Sequence, residues 1–146
     1  MIVQTHRDPI PLIASVCSLC WSARDAMNKD TDVTAFGRST LELWGRSIDT
    51  MMDARARANP DQFYDLPFDR LVRDPIAAIR EIYAHFELPY TDEGEAAIHR
   101  FRQANPKGKH GTHHYTLEQY GLAEGEVRER FERYTTAYAA MGAAPA

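Results

Sequence analysis

Strand-like patterns occur at two places in this chain, and most of the remaining sequence has the periodicity of helices. The first strand pattern is the apolar run Met1–Thr5, and the second is Gln62–Leu66, bounded by Pro60 and Pro67. Because long helical segments separate the two patterns, we expect parallel strands flanked by helices. This combination predicts an α/β fold.

Asp-Pro pairs mark the start of two of the predicted helices. Asp8-Pro9 supplies an N-cap and a proline at the first helical position, so a helix is predicted from there to about Met27. The same signal recurs at Asp74-Pro75, and Pro89 ends that helix. Further predicted features are a helix over 31–58, a helix from Thr91 to about Ala104, a capping box at Thr116 and Gln119 stopped by Gly121, and a last helix carrying Val127, Phe131, Tyr134 and Tyr138.

The number of strands is small for this class of fold. The 146 residues are 44% hydrophobic, enough for one domain with its own core, and no linker or repeat divides residues 1–146. Two strands alone leave sheet edges unpaired and too little sheet for the helices to cover. We therefore expect the chain to be part of a larger sheet, completed by upstream strands or by a partner chain.

Composition excludes several functional classes. A net charge of −4 argues against binding nucleic acid through a broad basic face. No apolar run approaches the ~20 residues of a membrane span, and the first residues lack a signal-peptide pattern, so a cytoplasmic protein is expected. Cys17 and Cys20 are the only cysteines, and we expect both to be reduced and packed as small apolar residues.

Two distant segments have the chemistry of a phosphate site. Arg7 directly follows the first strand, and Ser15 lies eight positions further on. A guanidinium offers a phosphate two parallel charge-assisted hydrogen bonds, and a hydroxyl adds a neutral donor. The later segment, 100–114, contains no acidic residue, and its glycines within Lys107–Gly111 would let the backbone approach an anion closely.

In this order and spacing, the segments resemble the carboxyl-terminal portion of bacterial sulfotransferases that use 3′-phosphoadenosine 5′-phosphosulfate. The resemblance rests on His6–Pro9 with Ser15, on Phe68–Pro75, on Ile82–Phe86 and on His110–Glu118. It implies a P-loop-nucleotide-hydrolase-like sulfotransferase fold that is incomplete here, with its amino-terminal part absent.

The resemblance also implies roles for individual residues. Arg7 and Ser15 would bind the 3′-phosphate of the donor, and Phe68 would lie near the adenine. A loop of the form K-G-x-x-G would close over the phosphate and the adenosine, and it corresponds here to Lys107, Gly108, Lys109, His110 and Gly111. The product would be adenosine 3′,5′-bisphosphate, and the acceptor a hydroxyl or amine of a small molecule, carbohydrate or lipid.

In the family, the loop that holds the 5′-phosphosulfate and the base that activates the acceptor come from upstream of this region. No catalytic residue is therefore assigned, and the isolated chain is expected to hold the 3′ end of the donor without the reacting end.

Each signal also has an ordinary interpretation. An Arg-Asp-Pro turn is common at helix starts, and a K-G-x-x-G segment is often only a solvated turn. His110, His113 and His114 have no carboxylate or cysteine beside them, so we interpret them as loop residues and assign no metal.

Three hypotheses follow from the sequence. The favoured one is the nucleotide-binding part of a sulfotransferase. The second is a non-catalytic module that binds a nucleotide or regulates a partner. The third is an interaction domain or homo-oligomer whose open sheet edge pairs with another chain.

Overall fold

The computed structural model describes residues 1–25, 32–106 and 115–142, which group into two compact units. The sheet unit comprises Met1–His6 and Pro60–His113, and the helical unit comprises Arg7–Asn59 and His114–Ala146. The strands and helices in chain order are β1 Ile2–His6, α1 Pro9–Asp25, α2 Val33–Ala56, β2 Phe63–Pro67, α3 Phe68–Arg73, α4 Pro75–His85, α5 Asp92–Ala104, α6 Glu124–Arg130 and α7 Glu132–Gly142, with 3₁₀ turns at Pro60–Gln62 and Glu118–Tyr120. The single domain predicted for residues 1–146 stays a prediction.

The sheet unit is built on two parallel strands, as the sequence predicts. β1 pairs with β2 from Ile2 opposite Phe63 to His6 opposite Pro67. Side chains alternate along each strand, so Gln4 and His6 share one face with Asp65 and Pro67. Both strands are shifted by one residue toward the carboxyl terminus relative to the sequence prediction, and the α/β class is confirmed.

Two helices of the sheet unit, α4 and α5, begin at side-chain caps. The Asp74 carboxylate accepts from the Ala77 backbone N–H at 3.1 Å, and Pro75 occupies the first turn of α4 as predicted. The Thr91 hydroxyl accepts from the Gly94 N–H at 3.1 Å at the start of α5. The short helix α3 was not predicted, because six residues are too few to show a periodic pattern.

The helical unit contains a continuous apolar core. Trp21 of α1 packs edge-to-face on Phe36 of α2 with ring centroids 5.2 Å apart. A Cβ at position 37 would lie 2.9 Å from the Cβ of Tyr120, so the close approach of α2 to that turn requires glycine there. The buried members of this core are Ile13, Ala14, Cys17, Phe36, Leu41, Leu117, Tyr120, Leu122, Val127 and Phe131.

The two cysteines have different surroundings. Both are free thiols, and Cys17 is buried in the core as expected, whereas Cys20 is exposed, so its predicted packing was wrong. The two residues are three positions apart on α1, so their side chains differ by about 60° around the helix axis, and only Cys17 falls on the buried face. Burial, followed by the neighbouring Cys20, raises the pKa of Cys17 to about 11, and a hydrogen bond with Thr40 opposes the shift.

The last predicted helix is two helices. α6 ends at Arg130, Phe131 has φ −105° and ψ 11°, and α7 begins at Glu132. The apolar spacing is the same in a straight and an interrupted helix, so it could not reveal the break. Phe131 is buried in the core, and the guanidinium of Arg130 is 2.9 Å from the Asp49 carboxylate on α2. Both tertiary contacts lie at the junction of the two helices, where the backbone departs from helical geometry.

The predicted capping box at Thr116 is only half formed. The Thr116 N–H donates to the Gln119 side chain at 2.9 Å, and the segment forms a 3₁₀ turn. Gly121 ends that turn in the left-handed conformation at φ 63°, as predicted for a helix stop.

Candidate anion-binding site

Arg7 lies in a very short connection between strand and helix. β1 ends at His6 and α1 begins at Pro9, so Arg7 and Asp8 alone join them. The Asp8 carboxylate accepts from the Ile10 N–H at 3.0 Å and so caps the first turn of α1. The predicted position of Arg7 at the carboxyl end of a parallel strand is therefore confirmed, and its side chain is half-buried.

The orientation of α1 is set by its apolar face. Pro9, Ile13, Ala14 and Cys17 are buried, which anchors one side of the helix in the core of the helical unit. Ser15 is half-buried. At 1.5 Å per residue it lies about 9 Å along the axis from Pro9. Its predicted contact with a phosphate stays a prediction.

A groove of about 460 Å³ runs beside the start of α1. Its charged lining is mostly acidic, with Asp8, Glu129 and Glu132 against Arg128. A phosphate would meet repulsion from these carboxylates. An anion bound by Arg7 is therefore expected outside this groove.

Phe68 follows β2 directly. It is the first residue of α3 and is half-buried. The structure thus places it just beyond the second strand's carboxyl end. Its contact with adenine stays a prediction.

A polar chain joins the second strand to the helices of the sheet unit. The Tyr64 hydroxyl donates to the Glu81 carboxylate at 3.0 Å, and Arg70 forms an ion pair with the same carboxylate. Burial and the Glu81 hydrogen bond raise the pKa of Tyr64. The phenol therefore stays protonated at neutral pH and acts as a hydrogen-bond donor.

His6 has a partner that the sequence did not reveal. Its Nε2 lies 2.7 Å from Oδ1 of Asp65, and the His6 side chain is 6% exposed. This carboxylate belongs to a residue 59 positions further along the chain. Only the strand register brings the two together, so no local signal could have identified Asp65.

The predicted loop of Lys107, Gly108, Lys109, His110 and Gly111 lies outside the described residues, as do His113 and His114. The helix that precedes the loop, α5, ends at Ala104, and the Asn105 side-chain amide donates to the Phe101 carbonyl at 3.0 Å.

Together, the parallel strands, the arginine after β1 and the capped helix α1 define an α/β protein with a strand-to-helix turn suited to an anion. The sequence profile described as "Sulfotransferase family" matches residues 1–92, which is more than half of the chain. The chain belongs to the sulfotransferase family.

Solved structures agree with this assignment. Sulfotransferase STF9 from Mycobacterium avium is 28% identical, with a TM-score of 0.79 over 90% of this chain. Sulfotransferase STF1 from Mycobacterium tuberculosis H37Rv is 32% identical, with a TM-score of 0.76, again over 90% of this chain. The recognised family and fold class are therefore confirmed.

The chain spans only about a third of these structures, 34% of the first and 33% of the second. No curated protein matches its sequence. Within the described residues, no helix combines the length and apolar character that a membrane span requires.

Proposed function

We propose that this chain forms the part of a sulfotransferase that binds the 3′-phosphate and adenosine of 3′-phosphoadenosine 5′-phosphosulfate. The complete enzyme would transfer the sulfuryl group of that donor to a hydroxyl or amine acceptor. The observation that carries the proposal is Arg7, half-buried in a two-residue turn between a parallel strand and a capped helix, within the segment that matches the family.

The chemistry of this turn suits a phosphate monoester, which carries nearly two negative charges. Arg7 can offer it two parallel hydrogen bonds, and a lysine could not reproduce that geometry. The first N–H groups of α1 and its dipole add partial positive charge near the same turn. Ser15 would contribute a neutral donor. Phe68 and the loop Lys107–Gly111 would complete contacts to the adenosine.

Calorimetric titration of the chain with adenosine 3′,5′-bisphosphate, with adenosine 5′-monophosphate as the control ligand, tests the proposal. Replacing Arg7 with alanine should weaken the bisphosphate about 100-fold, because two charge-assisted hydrogen bonds are lost. Arg7→Lys is the matched control, since it keeps the positive charge and loses the paired donors of the guanidinium. Its affinity for the bisphosphate should lie between the affinities of the wild-type chain and Arg7→Ala. Equal affinity of the wild-type chain for both nucleotides, or an unchanged preference in Arg7→Ala, would contradict the proposal.

Transfer activity separates the enzyme from a non-catalytic module. In the family, the 5′-phosphosulfate loop and the base come from upstream of this region, so the assay separates the two hypotheses only when that upstream part is restored. Sulfuryl transfer from the donor to a phenolic acceptor would then favour the enzyme. Selective binding of the bisphosphate without transfer would favour a module that binds the nucleotide alone.

A second candidate function, association through the sheet, is favoured by the exposure of β1. Ile2 and Val3 at the start of β1 are 44% and 40% exposed, which is unusual for a parallel strand. The sheet would then pair with another chain, and the loop Lys107–Gly111 would have no role in that function. A dimer or larger assembly in analytical ultracentrifugation, together with a nucleotide affinity that does not depend on Arg7, would support this alternative.

A further inference from the structure

One face of the two-stranded sheet carries a polar pair where a parallel sheet ordinarily carries apolar side chains. His6 and Asp65 are on this face, with side chains 6% and 20% exposed. Burial of two polar groups costs free energy unless they are hydrogen-bonded, and positions where sequence and fold disagree in this way are often functional.

The geometry of the pair identifies which atom carries a proton. A carboxylate only accepts hydrogen bonds, so Nε2 of His6, 2.7 Å from Oδ1 of Asp65, carries a hydrogen. A charge-assisted bond of this length is among the stronger hydrogen bonds in proteins. It joins β1 to β2 at the carboxyl end of the sheet, since His6 is the last residue of β1.

The next residue along the chain is Arg7. The turn that carries it is held on its strand side by the His6–Asp65 bond and on its helix side by the Asp8 cap on Ile10. A turn that is already held in one conformation loses less conformational entropy on binding, so fixing this turn reduces the cost of ordering Arg7 against a phosphate.

We propose that His6 and Asp65 are positioning residues for Arg7. They contact no ligand themselves, and they act by fixing the backbone from which the guanidinium projects. This inference rests on the proposed role of Arg7 at the 3′-phosphate.

The test is a double-mutant cycle with a matched pair of substitutions. His6→Gln keeps an amide donor near the position of Nε2, and His6→Asn carries the same amide one methylene shorter, out of reach of Asp65. Each is made in the wild-type and in the Arg7→Ala backgrounds. Affinities for adenosine 3′,5′-bisphosphate and adenosine 5′-monophosphate are measured by calorimetry, with circular dichroism to establish folding.

We expect His6→Asn to weaken the bisphosphate about tenfold, since losing a hydrogen bond to a charged group has effects of this size. His6→Gln should restore most of that loss. Neither substitution should change the affinity for the monophosphate, and neither should have an effect when Arg7 is already alanine.

A loss of affinity that is equal for both nucleotides, or equal in both Arg7 backgrounds, would overturn the inference. A general structural defect would have that effect. If Arg7→Ala itself leaves the bisphosphate unaffected, the proposed function fails first, which is a distinguishable result. Should His6→Asn not fold, Asp65→Asn replaces it in the cycle. That substitution keeps an acceptor without its charge, so a smaller loss, again absent with Arg7→Ala, is expected.

Discussion

The contacts within the helical unit differ in kind from the contacts within the sheet unit. Among the described residues, the connected apolar core belongs to the helical unit, whereas the buried hydrophobic residues of the sheet unit are Leu66 and Ala78. Both units have polar links and aromatic edge contacts, but in the sheet unit these have little apolar burial beside them; examples are His6 with Asp65, and Tyr83 with Tyr90 at 5.3 Å.

This difference indicates which contacts contribute most of the folding free energy and which contacts determine the geometry of each unit. Apolar burial is the dominant favourable term in folding, so the helical unit has the larger share of it. Polar links contribute less net free energy but allow only one geometry. The sheet unit, which contains the strand ends, is therefore specified by register and hydrogen bonds more than by burial.

The largest expected effect compares the same truncation in both units. Phe131→Ala in the helical unit removes a ring that is 3% exposed and should cost about 3–5 kcal/mol of unfolding free energy. Phe86→Ala in the sheet unit removes a half-buried ring that contacts His85 and should cost about 1–2 kcal/mol. Urea unfolding followed by circular dichroism measures both. An equal or larger cost at Phe86 would contradict the conclusion that apolar burial stabilises the helical unit more than the sheet unit.

Cysteine reactivity sharpens the account of the helical core. Because burial raises the pKa of Cys17 to about 11, its thiolate is scarce at neutral pH, whereas Cys20 is exposed. Thiolate concentration alone makes Cys17 about 100-fold less reactive toward iodoacetamide than an ordinary cysteine. Mass spectrometry of the peptides should show Cys20 modified first and Cys17 modified after denaturation. Comparable rates in the native protein would mean that the core opens readily.

The two units have different residue types at their positions of left-handed backbone. The helical unit uses Gly121 at φ 63°, where a Cβ would lie 2.8 Å from Cγ2 of Thr34, and the sheet unit has Glu87 at φ 53°. Gly121→Ala should therefore destabilise by about 1–3 kcal/mol. Glu87→Gly should stabilise by about 1 kcal/mol or less, because strain relief exceeds the entropy that glycine adds to the unfolded chain.

Gly125→Ala is the control for this pair, since a Cβ there meets nothing within 4 Å. It should leave thermal stability unchanged or raise it slightly. Destabilisation by Glu87→Gly would show that the Glu87 side chain contributes more than its backbone strain costs.

The smallest effect is the acid dependence of the contact between α4 and α5. A hydrogen bond from Tyr90 at 2.8 Å, and then one from Arg80, lower the pKa of Glu95. A carboxyl whose pKa is lower in the folded state contributes stability above its ordinary pKa, and that contribution is lost as pH falls through the folded value. Glu95→Gln should therefore lower the melting temperature at pH 7, and this deficit should shrink as the pH falls below the ordinary pKa of glutamate.

Glu93→Gln, on the same exposed helix turn, is the matched control. A Glu95→Gln deficit that stays the same size throughout the acid titration would mean that the side chain acts through packing rather than charge.

The strand-to-helix turn at residues 1–9 shows how much of the candidate site the sequence predicts. The apolar run, Asp8 and Pro9 are local signals, and they place Arg7 at a strand end without reference to any other part of the chain. The Asp74-Pro75 and Thr91 helix starts are predicted for the same reason. Capping and strand alternation depend on neighbours within about four residues, which a sequence displays directly.

Tertiary structure decided the features that depend on distant residues. The register of β1 against β2, and with it the His6–Asp65 pair, requires residues 59 positions apart to meet. The break at Phe131 follows from its burial and from the pairing of Arg130 with Asp49, 81 positions away. Such contacts form only when the whole chain packs, because the free energy that selects them comes from burial and from desolvated hydrogen bonds between elements. Sequence alone therefore determined the α/β class, the family and the position of Arg7, whereas tertiary structure decided the strand register and the polar pair beside that position.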